Sequence, residues 1–305
     1  MLILTLPGLV YGAQRRMTPL FGIVLALGCA LATNLGFLYK HRGACAASAV
    51  NMRRPLRSAR ALFGSRWFAV GMLIAVGAWV LHVAAMALAP LSVVQVVLAA
   101  GVVLLAIMAE RLFGLRIGRR QWLGLGLTAV GLMLLGVTLP PVHGAHSHAS
   151  VPGLIAFEAG LIAAGTLLIM GPRIGAPRHQ HGFMLGAAAG ILFGVSDIAI
   201  KAISGLVGSA GVAGLLTPWM LVTVAASVAA FYASAKGLQD GEAVPVIAVT
   251  GTAANVAGIV GGVLVFGDPL SGNPVALVVQ CLAFGLVLFA AWLTPGPVRA
   301  AGSPA

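Results

Sequence analysis

The stretch APLSVVQVVLAAGVVLLAIMAERLFGLRIGRRQWLGLGLTAVGLMLLGV, residues 89–137, holds two long apolar runs around a short hinge that carries Glu110, Arg111, Arg116, Arg119 and Arg120. Each run is about 20 residues, the length a helix needs to cross the hydrocarbon core of a bilayer. Such runs recur along the whole chain. Of its 305 residues 60% are hydrophobic and 8% are charged, against roughly 25% charged in soluble domains. With six carboxylates in all, the chain lacks the charged surface that a soluble protein of this size presents to water.

Working outward, apolar stretches fall at 19–39, 67–88, 91–110, 120–139, 153–171, 182–205, 217–236, 244–266 and 273–294. The reading is an all-α integral membrane protein of about nine transmembrane helices. The segment Gly43 to Met52 is too short to span and reads as loop or interfacial helix. Fifteen of the 18 basic residues fall on one side: Lys40, Arg42, Arg53, Arg54, Arg57, Arg60 and Arg66 in the first loop, then Arg111, Arg116, Arg119, Arg120, Arg173, Arg178, Lys236 and Arg299. Only Arg15, Arg16 and Lys201 fall on the other. That asymmetry sets the basic side as cytoplasmic, with the amino terminus outside and the carboxyl terminus inside a cell (inner or plasma) membrane. The net charge of +12 is therefore read as topology, and no nucleic-acid partner is expected. Cys29, Cys45 and Cys281 form no CxxC pair, which argues against a disulfide framework or a zinc-thiolate site. Abundant glycine, 41 residues, suits close helix packing in lipid. Arg15 and Arg16 follow the apolar residues Met1 to Ala13, the wrong order for a signal peptide; Met1 and Met17 both stand as candidate starts.

A second stretch, VPVIAVTGTAANVAGIVGGVLVFGDPLSGNPVALVVQCLAFGLVLFAA (244–291), repeats the plan of the first: an apolar run, an acid (Asp268 against Glu110), a Gly-containing turn and another run. The ends ATNLGFLYKHRG and GVSDIAIKAISG also correspond, with Lys40 and Lys201 at the same place. The chain thus divides into a segment 1–18, a first four-helix unit 19–139 with its basic loop 40–66, a His-containing linker 140–152, an intervening helix 153–171, a second four-helix unit 182–294 and a tail 295–305. One intervening helix reverses the second unit relative to the first, the inverted repeat of many secondary transporters. The competing explanation is that apolar helices resemble one another by composition alone.

The pieces ALAPLSVVQVV, MAERLFG and VFGDPLSG resemble the drug/metabolite transporter superfamily, especially its EamA-type domains. LALGCALATNLGFLYKHRGA, ALAPLSVVQVV and VSDIAIKAISG are similar to its NIPA-type branch, associated with magnesium transport, and the nine-span count favours that branch. The resemblance covers about residues 19 to 294. It implies a transporter working by alternating access around a central site, and it identifies the superfamily better than the cargo.

Ionisable groups at membrane depth cost about 2.5–3.5 kcal/mol on insertion scales, so each one present is a candidate for function. Asp197 and Lys201 are four residues apart on one helix face. Gly186, Gly190 and Gly194 precede them and are expected to turn that face toward the bundle interior. The pair reads either as a substrate or coupling-ion site or as a structural ion pair, with Lys201 reaching the interface. Glu158, His82 and Asp197 fall at one depth, as do Gln95 and Gln280, and are expected to line an outward-opening cavity if they converge. Asn34 and Thr33, with Asn255, Thr250 and Thr252, can contact solute or join helices. His143, His146 and His148 can take Zn²⁺ or Ni²⁺, although a flexible linker explains the same loop; whether any metal binds is left open. No Walker loop, HExxH or plausible GxSxG occurs, so the chain reads as a non-enzyme without a cofactor. Its partners are the bilayer and a small solute or ion, with a homodimer left open. Two alternatives to a small-solute transporter remain: a Mg²⁺ (divalent cation) transporter, and a non-transporting scaffold or lipid-handling protein.

Overall fold

The structure, a computed structural model, describes residues 6–51, 54–88, 91–138, 150–210, 214, 216–267 and 271–293. Among these residues it is helical with no strand. The helices are α1 (Leu6–Ala46), α2 (Pro55–Phe63), α3 (Arg66–Leu88), α4 (Leu91–Phe113), α5 (Arg119–Thr138), α6 (Val151–Ile169), α7 (His181–Ala210), α8 (Pro218–Asp240), α9 (Ala243–Phe266) and α10 (Pro274–Leu293). Two single 3₁₀ turns, Gly171–Arg173 and Arg178–Gln180, join α6 to α7. The His143–His148 loop, Pro90 and Asp268 lie outside the described residues.

Every apolar stretch read from the sequence lies on one of these helices. Among the described residues, five helical segments are long and apolar enough to cross a membrane: Phe21–Ala46, Val151–Ile169, Arg178–Ile203, Pro218–Asp240 and Ala243–Phe266. The bent pair Pro55–Phe63 and Arg66–His82 makes six when taken as one span. The chain is therefore an all-α, multi-pass membrane protein.

Several boundaries differ from the sequence reading: α1 begins at Leu6, within the segment 1–18 set apart from the first span, and α7 runs on to Ala210. Helix α1 continues to Ala46, through the start of the segment expected to be loop. The basic loop 40–66 also contains α2, which begins on a proline at its first position, where the missing N–H costs no helical bond. Its Ser58 and Leu62, one turn apart, are buried on the bundle. A nine-residue amphipathic helix leaves no trace in a search for long apolar runs.

Glycine sets the closest contacts. On α7, Gly186, Gly190 and Gly194 face Val246, Thr250, Ala253 and Ala257 of α9. A Cβ on Gly190 would fall against the Thr250 carbonyl oxygen and the Ala253 Cβ. The same approach occurs between α1 and α3, where a Cβ on Gly71 would lie 2.7 Å from the Gly36 carbonyl oxygen. With little hydrophobic drive between helices in lipid, this close packing supplies much of the association. Thr250 adds a hydrogen bond across the seam, its hydroxyl donating to the Gly186 carbonyl at 3.0 Å and to Val246 at 2.8 Å.

Helix α1 packs on α3 and α4, α7 packs on α8, α9 and α6, and α5 packs on α4 and α10. The largest buried core gathers at the basic end, around Leu38, Leu62, Phe68, Leu105, Leu125, Leu238 and Val246.

The α7–α9 seam is testable. Gly190→Val has no room and should destabilise the protein by about 1–3 kcal/mol, the usual cost of overpacking. Gly258→Ala, where a Cβ meets nothing within 4 Å, should be neutral or stabilising by up to about 1 kcal/mol. Thermal unfolding of the purified protein in detergent reads both.

Candidate functional site

A cavity of about 340 Å³ lies between α1, α3, α4 and α9, with Leu132 of α5 at its edge. Its size is in the range of small-ligand sites. Helix α1 contributes the row Cys29, Thr33, Phe37, spaced by one turn, with Asn34 beside it. Helix α3 contributes Ala75, Trp79 and His82, again on one face. Helix α9 contributes Ile247, Ala248, Gly251 and Asn255. The apolar α4 wall is Leu98, Val102 and Leu105.

Three of the residues singled out from sequence, Asn34, His82 and Asn255, thus meet at one cavity. Asn34 has a structural duty as well. Its side-chain N–H groups donate to the Ala30 carbonyl at 2.8 Å and across to the Gly101 carbonyl of α4 at 2.7 Å. Asn255 is exposed, and its side chain makes no hydrogen bond among the described residues. Gln95 lies on α4, but its side chain is outside the described set.

The other candidates sit elsewhere. Glu158 is buried, 3% exposed, on α6, and its Oε1 has no hydrogen-bond partner among the described residues. Helix α6 packs on α7 and α9, so it does not reach the cavity walls on α1, α3 and α4. Asp197 is exposed, which corrects the expectation that its face turns inward. The reason is helical spacing. The row Gly186, Gly190, Gly194 advances by four, and its next member is Ile198, which is 3% exposed and lies against Gly261 of α9. Asp197 falls beside that row. The Lys201 ammonium rests over the Phe266 ring, 4.4 Å from its centroid, a cation–π contact. The convergence of His82, Glu158 and Asp197 on one cavity is therefore not found; only His82 lines it. Gln280 is buried and bridges α10 to α5, donating to the Thr138 carbonyl at 2.8 Å.

Sequence reasoning missed Cys29, Phe37 and Trp79. The signal was present as spacing: each lies three or four residues from a polar residue already noted. Aromatic and thiol side chains in a membrane helix carry no cost that would flag them.

Toward the basic end lies a band of hydrogen bonds between helix ends. The His41 ring nitrogen Nδ1 donates to the Leu238 carbonyl at 2.9 Å. Gln239 donates to the carbonyls of Ala44 at 2.8 Å and Ser48 at 3.2 Å, and accepts from the Val50 N–H at 2.8 Å. Gln121, 4% exposed, donates to Glu242 at 2.7 Å. These bonds tie α1 and α5 to the neighbouring ends of α8 and α9.

Chemically, the lining offers a thiol, a hydroxyl, two amides and an imidazole on apolar walls. No carboxylate is among the lining residues, and among the described residues no group of three or more His, Cys, Asp or Glu is arranged to hold a metal ion. Such a site suits a neutral or weakly cationic solute, or a cation that keeps its waters.

A helical membrane protein with a mostly apolar cavity that carries a few polar groups is the class these features define. Comparison with known proteins gives the particulars. The chain is 21% identical over 280 residues to a probable magnesium transporter NIPA9 of Arabidopsis thaliana, covering 87% of this chain and 79% of that protein. It is 28% identical over 203 residues to an uncharacterized protein of Corynebacterium glutamicum, covering 66% of this chain and 68% of that one. No protein-family model and no solved structure matches the chain.

Asn34 and Asn255 should separate by experiment. Asn34→Leu removes the α1–α4 bridge and should cost about 0.6–1.7 kcal/mol, the range measured for interhelical hydrogen bonds in membranes. Asn255→Leu removes no such bond and should leave thermal stability unchanged in the same detergent assay.

Proposed function

We propose that the protein is a membrane transporter whose solute site is the cavity between α1, α3, α4 and α9. The observation that carries this reading is a cavity of small-ligand size that bears Asn34, His82 and Asn255 on otherwise apolar walls, with a band of hydrogen bonds joining the helices at its basic end. A pathway closed on one side of a central site is what alternating access requires. The cavity also weighs against a non-transporting scaffold.

The mechanism is a rocking of two inverted four-helix halves, the first containing α1, α3, α4 and α5 and the second α7, α8, α9 and α10, with α6 between them. Nine spans, an outer amino terminus and a cytoplasmic basic end complete the arrangement, in an inner or plasma membrane. Supporting it is the correspondence of pairings: α1 lies on α3 and α4 as α7 lies on α8 and α9. The helix order and the acid-and-turn repeat of the sequence point the same way.

Asn255, His82 and Asn34 hold the solute. Glu158 and Asp197 remain candidates for cation or proton handling from outside the cavity. Transport is secondary, driven by an ion gradient. The solute is small and hydrogen-bonding. A second reading, Mg²⁺ carried with its water shell, draws on the magnesium transporter among the relatives. Amide and hydroxyl oxygens can accept hydrogen bonds from ion-bound water without stripping it.

Uptake into proteoliposomes, across a panel of solutes with and without a pH gradient, tests the main reading. Asn255→Leu should lower uptake by on the order of fivefold to tenfold, the loss of one hydrogen bond worth about 1–1.5 kcal/mol. Unchanged uptake by that variant would remove the cavity from the pathway. For the second reading, the wild-type chain should restore growth of a Mg²⁺-starved host and Asn255→Leu should not. Rescue by neither form, with organic-solute uptake intact, would eliminate Mg²⁺ as cargo.

A further inference from the structure

Helix α2 meets α3 at 91°. With α3 taken as crossing the bilayer, the right angle sets α2 parallel to the surface at the basic end. Its placement is fixed from several sides. The Tyr232 hydroxyl of α8 donates to the Pro55 carbonyl at 2.7 Å. The Ser58 hydroxyl donates to the Asn51 carbonyl at 3.1 Å and accepts from the Asn51 N–H at 2.9 Å. Leu62 is fully buried, and the Phe63 ring stacks on Phe231 and meets Phe68 edge-on. The helix is thus a built surface of defined orientation.

The face opposite Ser58 and Leu62 carries Leu56, Arg60 and Phe63, at positions i, i+4 and i+7, with Arg57 at its edge. Arg57 and Arg60 are exposed, and Leu56 is 86% exposed. An arginine pair beside an exposed leucine on an in-plane helix is amphipathic in the sense that membrane interfaces select.

No counter-charge for that pair is found among the described residues. The carboxylates at the basic end are Glu110, Asp240 and Glu242. Asp240 is held by Lys236 at 2.6 Å and by His181 at 3.6 Å. Glu242 accepts from Gln121 at 2.7 Å, and Glu110 accepts from the Trp122 indole at 3.2 Å. Arg42 and Arg66 are occupied by the Trp67 ring, at 4.3 Å and 5.2 Å. Arg57 and Arg60 meet no carboxylate among the described residues. Among the described residues each acid at this end has a hydrogen-bond or ion-pair partner, and none of them is Arg57 or Arg60.

We propose that α2 is a docking site for an anionic phospholipid of the leaflet at the basic end. Arg57 and Arg60 grip the headgroup phosphate through their guanidinium forks, and Leu56 enters the acyl boundary. The exposed leucine favours a lipid over free phosphate, which would leave that side chain in water. The inference rests on the membrane reading and is independent of transport.

The test is native mass spectrometry of the detergent-purified full chain, titrated with phosphatidylglycerol, phosphatidylcholine or inorganic phosphate. Wild-type protein should retain phosphatidylglycerol at least about fivefold more than phosphatidylcholine. R57Q/R60Q should weaken that binding by on the order of thirtyfold, given roughly 1 kcal/mol per basic residue near an anionic surface. R57K/R60K should retain most of it. For the wild-type chain alone, raising salt from about 0.05 M to about 0.5 M should weaken binding severalfold through screening. Equal retention of the two lipids, an unchanged R57Q/R60Q, salt-independent binding, or displacement by equimolar inorganic phosphate would each overturn the proposal. The salt series needs no variant, so a misfolded double mutant leaves the proposal testable.

Discussion

The bundle depends on backbone meeting backbone. In a bilayer a leucine gains little by leaving lipid for protein, so burying apolar surface cannot hold helices together as it does in water. What remains is dispersion at short range and hydrogen bonds that cross between helices. Both require the axes to come close, and the seams between α7 and α9 and between α1 and α3 are cleared for that by Gly186, Gly190, Gly194, Gly36 and Gly71. At that separation the Thr250 hydroxyl can reach the Gly186 carbonyl. A larger residue in the stripe would open the gap and break the bond together.

Against this tight packing, the cavity is a departure that the fold must accommodate. The cavity lies between α1, α3, α4 and α9, and its polar groups divide their work. Asn34 spends one amide proton on the α1–α4 joint and the other within α1. Asn255 and His82 spend none on helix–helix bonds among the described residues. Toward the basic end the helix ends are joined by imidazole-to-carbonyl, amide-to-carbonyl and amide-to-carboxylate bonds. The neutral ones are worth about 0.5–1.5 kcal/mol each and the one to the carboxylate about 1.5–3 kcal/mol.

Much of this was legible in the sequence because its cause is local. The apolar runs give helices because lipid leaves the backbone no other partner. Asn34, His82 and Asn255 stood out as polar residues in apolar runs, and the cavity is where they meet. Asp197 was misread because a glycine stripe fixes a face only to within one position. The i+4 row leads to Ile198, and a step of three leads off it. Glu158 and Asp197 fail to join His82 because depth along the membrane normal says nothing about which helix is a neighbour. Helix α2 was hidden because its amphipathic pattern spans only nine residues. Its role depends on the right angle it makes with α3.

Gln239 has a mechanical consequence. One side-chain amide bonds three backbone groups, at Ala44, Ser48 and Val50, and one turn of α8 away Lys236 and Asp240 clasp each other. Two turns back, Tyr232 holds the start of α2. The end of α1, the chain at Ser48 and Val50 and the start of α2 are therefore all anchored on one stretch of α8, and a side chain at 239 without an amide would release three backbone groups at once.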